Sequence, residues 1–367
     1  MEKKKTIVIL FGGVSGEHNV SLISAGSVLS NIDRESFNVI PVLIDRNGTW
    51  FTNKEEELLL RDETKEAIEV FLPPQPKVKR LIPFGSKKLP PSMSASIDCV
   101  FPVLHGPNGE DGTIQGLLTL TDIPFVGAGV VGSAIGMDKE YMKIIFREAG
   151  LPVVDFEIIR YEEYCEERES ILNEIIKQFE LPVFVKPANL GSSVGITKVK
   201  LWEDLPEAVK KALKYDNKII IEQGIEPARE LECSVLGNYN PRASEVGEII
   251  PSGEFYDYEA KYIDNRSELI VPARIPKRLR ETIQEYSITA FKAIDCRGMA
   301  RVDFLYNLHN ELLFINELNT IPGFTPISMY PRLWQESGIE YSDLITELIE
   351  LALEEHKSRK RISHMIE

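Results

Sequence analysis

Arg301-Val302-Asp303-Phe304-Leu305-Tyr306, then Asn307-Leu308-His309-Asn310, then Phe314-Ile315-Asn316-Glu317-Leu318-Asn319: this stretch carries the sharpest signal in the chain. Polar and apolar residues alternate in both flanks, as in half-buried strands, so Arg301 and Asp303 share one face and Glu317 and Asn319 share another. The Asn-Leu-His-Asn segment is a turn signal, and a hairpin centred near Asn310 sets Asp303 opposite Glu317. Facing carboxylates repel and call for a compensating cation. Three hard oxygen donors (Asp303, Glu317, Asn319) suit Mg²⁺ bound together with substrate phosphates. A polar, solvated hairpin face, with Arg301 neutralising one carboxylate, is the plainer alternative.

Upstream, Val183-Phe184-Val185-Lys186-Pro187 reads as a strand ending in a lysine, and Ala188-Asn189-Leu190-Gly191-Ser192-Ser193-Val194-Gly195 as a loop of small residues. Successive N–H groups in such a loop can cradle an anion; a plain flexible hairpin is the alternative. Gly191 to Gly195 also fits the G-x-S-x-G nucleophile pattern. That elbow needs a strand directly before it and a helix after it, whereas Pro187 intervenes and the residues from Val194 to Val199 read as a strand. A serine hydrolase is therefore set aside.

The start reads strand, turn, helix: Thr6 to Phe11, Gly12 to Gly16, then Val20 to Leu29, with a second strand from Phe37 to Ile44. Phe11 stands where a G-x-G-x-x-G fingerprint needs its first glycine, and no Walker A sequence occurs. The segment Thr52 to Ser96, charged and then proline-rich, reads as a surface elaboration. Further strands are expected at Cys99–Leu104, Lys218–Glu222 and Glu230–Leu236. Helices are expected at Thr113–Leu120, Lys139–Ala149, Glu162–Phe179, Arg278–Ala293 and Tyr341–Glu354, the last two packing on the strands of the final third. The basic tail from His356 to Arg361 is expected in solvent. Phe255 to Tyr262, polar-aromatic after a glycine turn, has the composition of a lid.

The chain has 367 residues, more than one ordinary domain accommodates. Its net charge of −15 disfavours a nucleic-acid partner, so any phosphate-binding lysines act locally. No apolar run is long enough for a membrane span, and the apolar start, running into Gly12-Gly13 without an A-x-A site, reads as a buried strand rather than a signal peptide. Four scattered cysteines, with no C-x-x-C, suggest free thiols in a reducing cytoplasm, and no H-E-x-x-H occurs.

Taken together, these segments resemble the D-alanine–D-alanine ligases of the ATP-grasp superfamily. The matching motifs are Gly12-Gly13 with Glu17-His18-Asn19-Val20-Ser21-Leu22, His105-Gly106 with Gly109 to Gly116, and Met137-Asp138-Lys139. The Lys186–Gly195 loop, Tyr256 to Tyr262, Arg301-Val302-Asp303 and Glu317 to Gly323 complete the set, in the family's order and across nearly the whole chain. His18 stands where an arginine is common in the family.

The resemblance implies an N-terminal α/β domain (residues 1–127) and two α+β domains, central (128–227) and C-terminal (228–367), forming an ATP-grasp fold. It implies a cytoplasmic homodimer that joins two D-alanines through an acylphosphate, with ATP and two Mg²⁺ ions, Mn²⁺ being able to substitute. By the same resemblance Glu17 holds the first D-alanine's ammonium with His105 nearby. Lys139 and Lys186 contact the ATP phosphates, and Glu222, Ile225 and Glu230 line the adenine and ribose pocket. Ser192 joins Glu17 and Tyr262 in closing the lid, and Lys261 reaches the transferred phosphoryl group. Arg301 and the Gly323 N–H form an oxyanion hole, Asp303, Glu317 and Asn319 hold the metal ions, and Ser328 contacts the second D-alanine's carboxylate. Ligases that make D-Ala-D-serine or D-Ala-D-lactate are the alternatives; lactate-making relatives lack the tyrosine found here at Tyr262.

Overall fold

In the computed structural model, residues 4–250 and 268–361 are described. The segment Tyr256 to Tyr262, with Lys261 and Tyr262, lies outside them.

The first unit is an α/β layer. Its elements are β1 (Lys5–Gly12), α1 (His18–Asn31), β2 (Phe37–Ile44), β3 (Trp50–Thr52), α2 (Glu56–Leu60), β4 (Ile68–Phe71), β5 (Ile82–Pro83), β6 (Cys99–Val103) and α3 (Thr113–Thr121). The sheet order is β5-β4-β3-β2-β1-β6. β1 pairs in parallel with both β2 and β6, and its residues from Thr6 to Gly12 are buried, as its unbroken apolar run requires. The Thr52–Ser96 elaboration is more than surface decoration: β4 and β5 extend the sheet, and Val70, Leu72, Leu81 and Met93 join its core.

Two antiparallel sheets with helices on their faces follow. The first is preceded by α4 (Val130–Met137) and α5 (Lys139–Glu148) and comprises β7 (Phe156–Arg160), α6 (Tyr161–Gln178), β8 (Val183–Pro187), β9 (Thr197–Val199), α7 (Leu205–Ala212) and β10 (Lys218–Gln223), in strand order β7-β10-β8-β9. The second comprises β11 (Ala228–Gly237), β12 (Arg242–Ile250), β13 (Glu268–Ile270), α8 (Lys277–Ala293), β14 (Gly298–Asn307) and β15 (Leu313–Asn319), in order β13-β12-β11-β14-β15, then α9 (Met329–Glu336) and α10 (Tyr341–Arg359).

Helix α5 fixes the cleft between these sheets. Asp138 caps it, its Oδ1 accepting the N–H of Glu140 at 3.1 Å and of Tyr141 at 3.3 Å. One face buries Met142 and Phe146 in the core of the last sheet, beside Cys233, Val302 and Ile315. Lys139 and Lys143, one turn apart, share another face. A cation in a first turn opposes the helix dipole, so Lys139 sits there for a reason other than helix stability.

Two expectations fail. The strand expected from Val194 starts only at Thr197, because Ser192 (φ +49°), Ser193 (φ +59°) and Gly195 (φ +76°) all adopt left-handed backbone. The basic tail is not simply solvated. His356 belongs to α10, and its Nε2 lies 2.8 Å from Asp122 Oδ1 at the end of α3, with Lys360 Nζ 3.3 Å from the same carboxylate. α10 also packs more widely than on the last strands alone: Leu344, Ile345, Leu348 and Ile349 share one core with Ile7, Phe11 and Phe101 of the first sheet and with Phe324 and Trp334. Each such side chain contributes about 1.5–3 kcal/mol.

Candidate active site

The β14–β15 ladder sets Asp303 opposite Glu317 and Arg301 opposite Asn319. Nearer the turn, however, Phe304 pairs with Ile315, so the register slips by one residue and Asn316 is the extra residue of a bulge. Without that bulge Asn316, not Glu317, would face Asp303. Glu232 on β11 pairs with Asp303 from the other side, so three carboxylates form a row across three strands. Arg301 compensates much of it. Its Nε and terminal nitrogen grip Asp303 at 2.7 and 2.6 Å, and Nε lies 3.0 Å from Glu232. Burial opposes its charge, but Asp303 and Glu232 outweigh burial and raise its pKa further. Asn319 donates to Asp303 at 3.0 Å. Lys139 Nζ lies 3.7 Å from Glu317. Among the described residues no three His, Cys, Asp or Glu side chains converge to hold a metal ion by themselves. Two carboxylates and an amide oxygen are hard donors that fit Mg²⁺ completed by phosphate oxygens.

A cavity of about 640 Å³ opens between the two antiparallel sheets. Its lining includes Lys139, Lys186, Ser192, Glu222, Ile225, Glu230, Asp303 and Glu317. Lys139 Nζ donates to the Leu190 carbonyl at 2.7 Å, and its N–H to Ala188, pinning the small-residue loop against α5. At the cavity's inner wall Glu222 stands between two lysines, Lys186 at 2.5 Å from Oε2 and Lys143 at 2.9 Å from Oε1. Burial favours the neutral acid, yet the two ammonium charges overcome it and hold the Glu222 pKa at about 2. The Lys143 contact lacks hydrogen-bond alignment: Oε1 is buried with no hydrogen bond. A carboxylate held ionised at the wall of this cavity can accept from the amino group of an adenine base.

A second, smaller cavity of about 70 Å³ continues from the first. Gly191, Ser192, Glu232 and Glu317 line both, and Glu17, His105, Arg301, Asn319, Gly323 and Ser328 line the second. Glu17, just before α1, accepts the Ser192 hydroxyl hydrogen bond, joining the first unit to the small-residue loop. Gly106 permits this: its φ is +76°, and a Cβ there would lie 2.6 Å from Glu17 Oε2. His105 Nδ1 faces the Ile321 carbonyl at 3.2 Å and Glu110 at 3.4 Å, and Nε2 faces Ser24 Oγ at 3.1 Å. Burial disfavours charge on His105, but Glu110 and Glu17 prevail and raise its pKa. Burial, reinforced by Glu17 and resisted by His105, raises Glu110 to about 7. Ser328 precedes α9, its Oγ accepting from Thr325 N–H at 3.0 Å, and a Cβ on Gly323 would come within 2.7 Å of that oxygen.

Every site residue named from the sequence that lies among the described residues thus lines one of these two joined cavities. Ser192 is bonded to Glu17 with no helix after it, which fits the rejection of a serine nucleophile. Sequence reasoning missed Lys143, Glu232 and Glu110. The signals were present: Lys143 lies four residues after Lys139, Glu232 shares a strand face with Glu230, and Glu110 follows His105-Gly106.

Two antiparallel α+β units closing over a cleft of lysines and hard oxygen donors, behind an N-terminal α/β unit, define an ATP-grasp enzyme. The family models described as D-ala D-ala ligase N-terminus and C-terminus match residues 6–128 and 145–350. The chain belongs to the D-alanine–D-alanine ligase family, and is an ATP-dependent, ADP-forming ligase of it. It is 52% identical over 366 residues to a D-alanine–D-alanine ligase of Thermoanaerobacter sp. (strain X514), covering 98% of this chain and 99% of that one. It is 49% identical to that of Caldicellulosiruptor bescii, with 98% of each chain covered. Among solved structures, the D-alanine–D-alanine ligase from Coxiella burnetii superposes with a TM-score of 0.84 at 34% identity, covering 98% of each chain. The VanG D-Ala:D-Ser ligase from Enterococcus faecalis gives 0.85 at 36% identity, covering 95% of this chain and all of that one. No helix among the described residues is long and apolar enough to cross a membrane.

Proposed function

We propose that this chain joins two D-alanines into D-alanyl-D-alanine for peptidoglycan precursor synthesis. The observation that carries this reading is the meeting of a nucleotide-sized cavity and a small polar cavity at Glu317, Glu232, Gly191 and Ser192. A phosphoryl group held in the first can reach a carboxylate held in the second. A carboxylate is a weak electrophile whose charge repels the γ-phosphate, so positioned charge must neutralise both.

In this reading Glu17 takes the ammonium of the first D-alanine, with His105 beside it, and an oxygen of that D-alanine's own carboxylate attacks the γ-phosphorus, releasing ADP. Lys139 and Lys186 bind the phosphates, while Glu222, Ile225 and Glu230 receive adenine and ribose. Asp303, Glu317 and Asn319 hold the Mg²⁺ ions, proposed to be two and replaceable by Mn²⁺, which supply charge neutralisation when bound. The second D-alanine, its carboxylate at Ser328 and the positive end of α9, loses a proton and attacks the carbonyl carbon. Arg301 and the Gly323 N–H stabilise the resulting oxyanion, and phosphate leaves. Ser192, bonded to Glu17, keeps the small-residue loop over the reacting groups and limits water. The roles of Lys261 and Tyr262 rest on the resemblance alone.

The boundaries 1–127, 128–227 and 228–367, a cytoplasmic location and a homodimer belong to the same proposal. Ile23 and Leu120, 53% and 61% exposed on the first unit, offer apolar surface for such a dimer, and light scattering at micromolar concentration tests it. The reading as a whole is tested by ADP release with D-alanine, D-serine, D-lactate or L-alanine, the products identified by mass spectrometry. Release that requires D-alanine and yields the D-Ala-D-Ala dipeptide is expected. Preferential ligation of D-serine or D-lactate as the second substrate would replace it.

A further inference from the structure

Lys143 is the one lysine whose side chain is wholly buried among the described residues of the cleft, and the mechanism above gives it no step. Burying an ammonium costs several kcal/mol unless its partners are well placed, and a methionine of similar length would pack at this helical position without that cost. The partners are specific. Nζ lies 2.9 Å from Glu222 Oε1 on β10 and donates to the Asn316 carbonyl on β15 at 3.0 Å. Asn316 is the bulge residue whose insertion turns Glu317 to face Asp303. The Asn316 side-chain oxygen also lies 3.5 Å from Lys186 Nζ.

We propose that Lys143 is a positioning residue of the nucleotide site: one buried ammonium fixes both the Glu222 carboxylate at the base end and the Asn316 bulge that aims Glu317 at the phosphate end. This rests on the reading of Glu222 as the adenine partner. Lys186 alone would hold Glu222 by its other oxygen and leave Oε1 without a set direction. Lys143 supplies that direction: it holds Oε1 in the buried wall and so sets the plane in which the carboxylate meets a base amine from the cavity. It also bonds a carbonyl that the slipped ladder sets apart from regular pairing, so the two ends of the cleft, carried by different sheets, are set by the same atom.

The test is direct titration of a non-hydrolysable ATP analogue and of the matching inosine triphosphate analogue, whose base carries a 6-oxo acceptor in place of the amine, each with Mg²⁺ and without amino acid. Lys143→Met is expected to weaken binding of the ATP analogue at least tenfold, and to shrink the adenine-over-hypoxanthine preference at least threefold. The Mg²⁺ concentration for half-saturation should rise, while KM for D-alanine at saturating ATP stays within twofold. A purely structural lysine would lower the melting temperature without moving the base preference.

Lys143→Met/Glu222→Gln removes both charges and covers the case in which the single variant does not fold. It should match Glu222→Gln within twofold in base preference, yet still need more Mg²⁺ through the freed Asn316 carbonyl. Unchanged affinity and preference in Lys143→Met would overturn the proposal, as would a further tenfold loss of preference in the double variant beyond Glu222→Gln. These titrations do not depend on the amino-acid substrate. Dipeptide synthesis by the wild type with unchanged nucleotide binding by Lys143→Met would refute this inference alone; nucleotide binding as described without any D-alanine ligation would refute the functional reading alone.

Discussion

Glu317→Gln separates the site's chemistry from its stability. The carboxylate faces Asp303 across the ladder and has Lys139 Nζ at 3.7 Å. Two unit charges at that separation interact by about 4 kcal/mol at an effective dielectric of 20, and a divalent ion doubles the charge product. Glutamine keeps one oxygen donor and the shape, so part of this is retained. A loss of about 3–4 kcal/mol of transition-state stabilisation corresponds to a ~10²–10³-fold fall in kcat/KM for ATP. Stability should change little. The relieved repulsion from Asp303, worth up to ~1 kcal/mol, is offset by the lost attraction to Lys139, a pair of similar worth in a partly exposed setting, so the melting temperature without ligand should stay within about 2 °C. The assay is ADP release at saturating D-alanine over a Mg²⁺ series, with a thermal melt of the same sample. Near-normal turnover at limiting Mg²⁺ would refute the assignment of Glu317 as a metal ligand. Lost turnover with a melting temperature lowered by more than about 5 °C would refute the separation of chemistry from stability instead.

Glu17→Gln should raise KM for the first D-alanine by about tenfold, the worth of a hydrogen bond to a charged group, with KM for ATP little changed; equal effects on both would remove Glu17 from the ammonium site. Glu110 is held protonated above its ordinary range, so the folded state binds more protons than the unfolded chain and stability falls as pH rises from about 4.5 to 7. Denaturant melts of Glu110→Gln should therefore gain on the wild type across that window, and a constant difference would count against the buried pair. Asp122 is the opposite case. Burial raises its pKa, but Lys79, His356 and Lys360 together outweigh it and bring it down to about 2, so its contribution is present above about pH 4 and lost as pH falls towards 2. Asp122→Asn should cost about 1 kcal/mol or less at neutral pH, given its exposure, and nothing near pH 2; a cost independent of pH would show that its charge does not clamp α10.

The alternation in Arg301–Tyr306 and Phe314–Asn319 carries the two strands and the face of each side chain. It does not carry the bulge. Asp303 meets Glu317 only because Asn316 is inserted, and the carbonyl partner favouring that insertion, Lys143, comes from a helix more than 150 residues earlier. Sequence pattern reads neighbours on one element, so a lysine whose partners lie on two other strands looks like one more charge on α5. The small-residue loop shows the converse limit. Val194 and Ile196 suggest a strand by composition, but the Ser192 and Ser193 backbone is left-handed, and the bond from Ser192 to Glu17 joins groups far apart in sequence. The basic run at the chain's end suggests solvent, because Asp122, its partner at the end of α3, is visible only in three dimensions.

The most direct test of the central account follows one oxygen atom. If the first D-alanine's carboxylate attacks the γ-phosphate, and the second's amine then displaces that phosphate, one carboxylate oxygen must leave with it. D-alanine labelled with oxygen-18 in its carboxylate, incubated with the protein and Mg²⁺-ATP, should yield inorganic phosphate carrying one labelled oxygen for each dipeptide formed. Dipeptide accompanied by unlabelled phosphate would contradict the acylphosphate route and the roles of the residues where the two cavities meet.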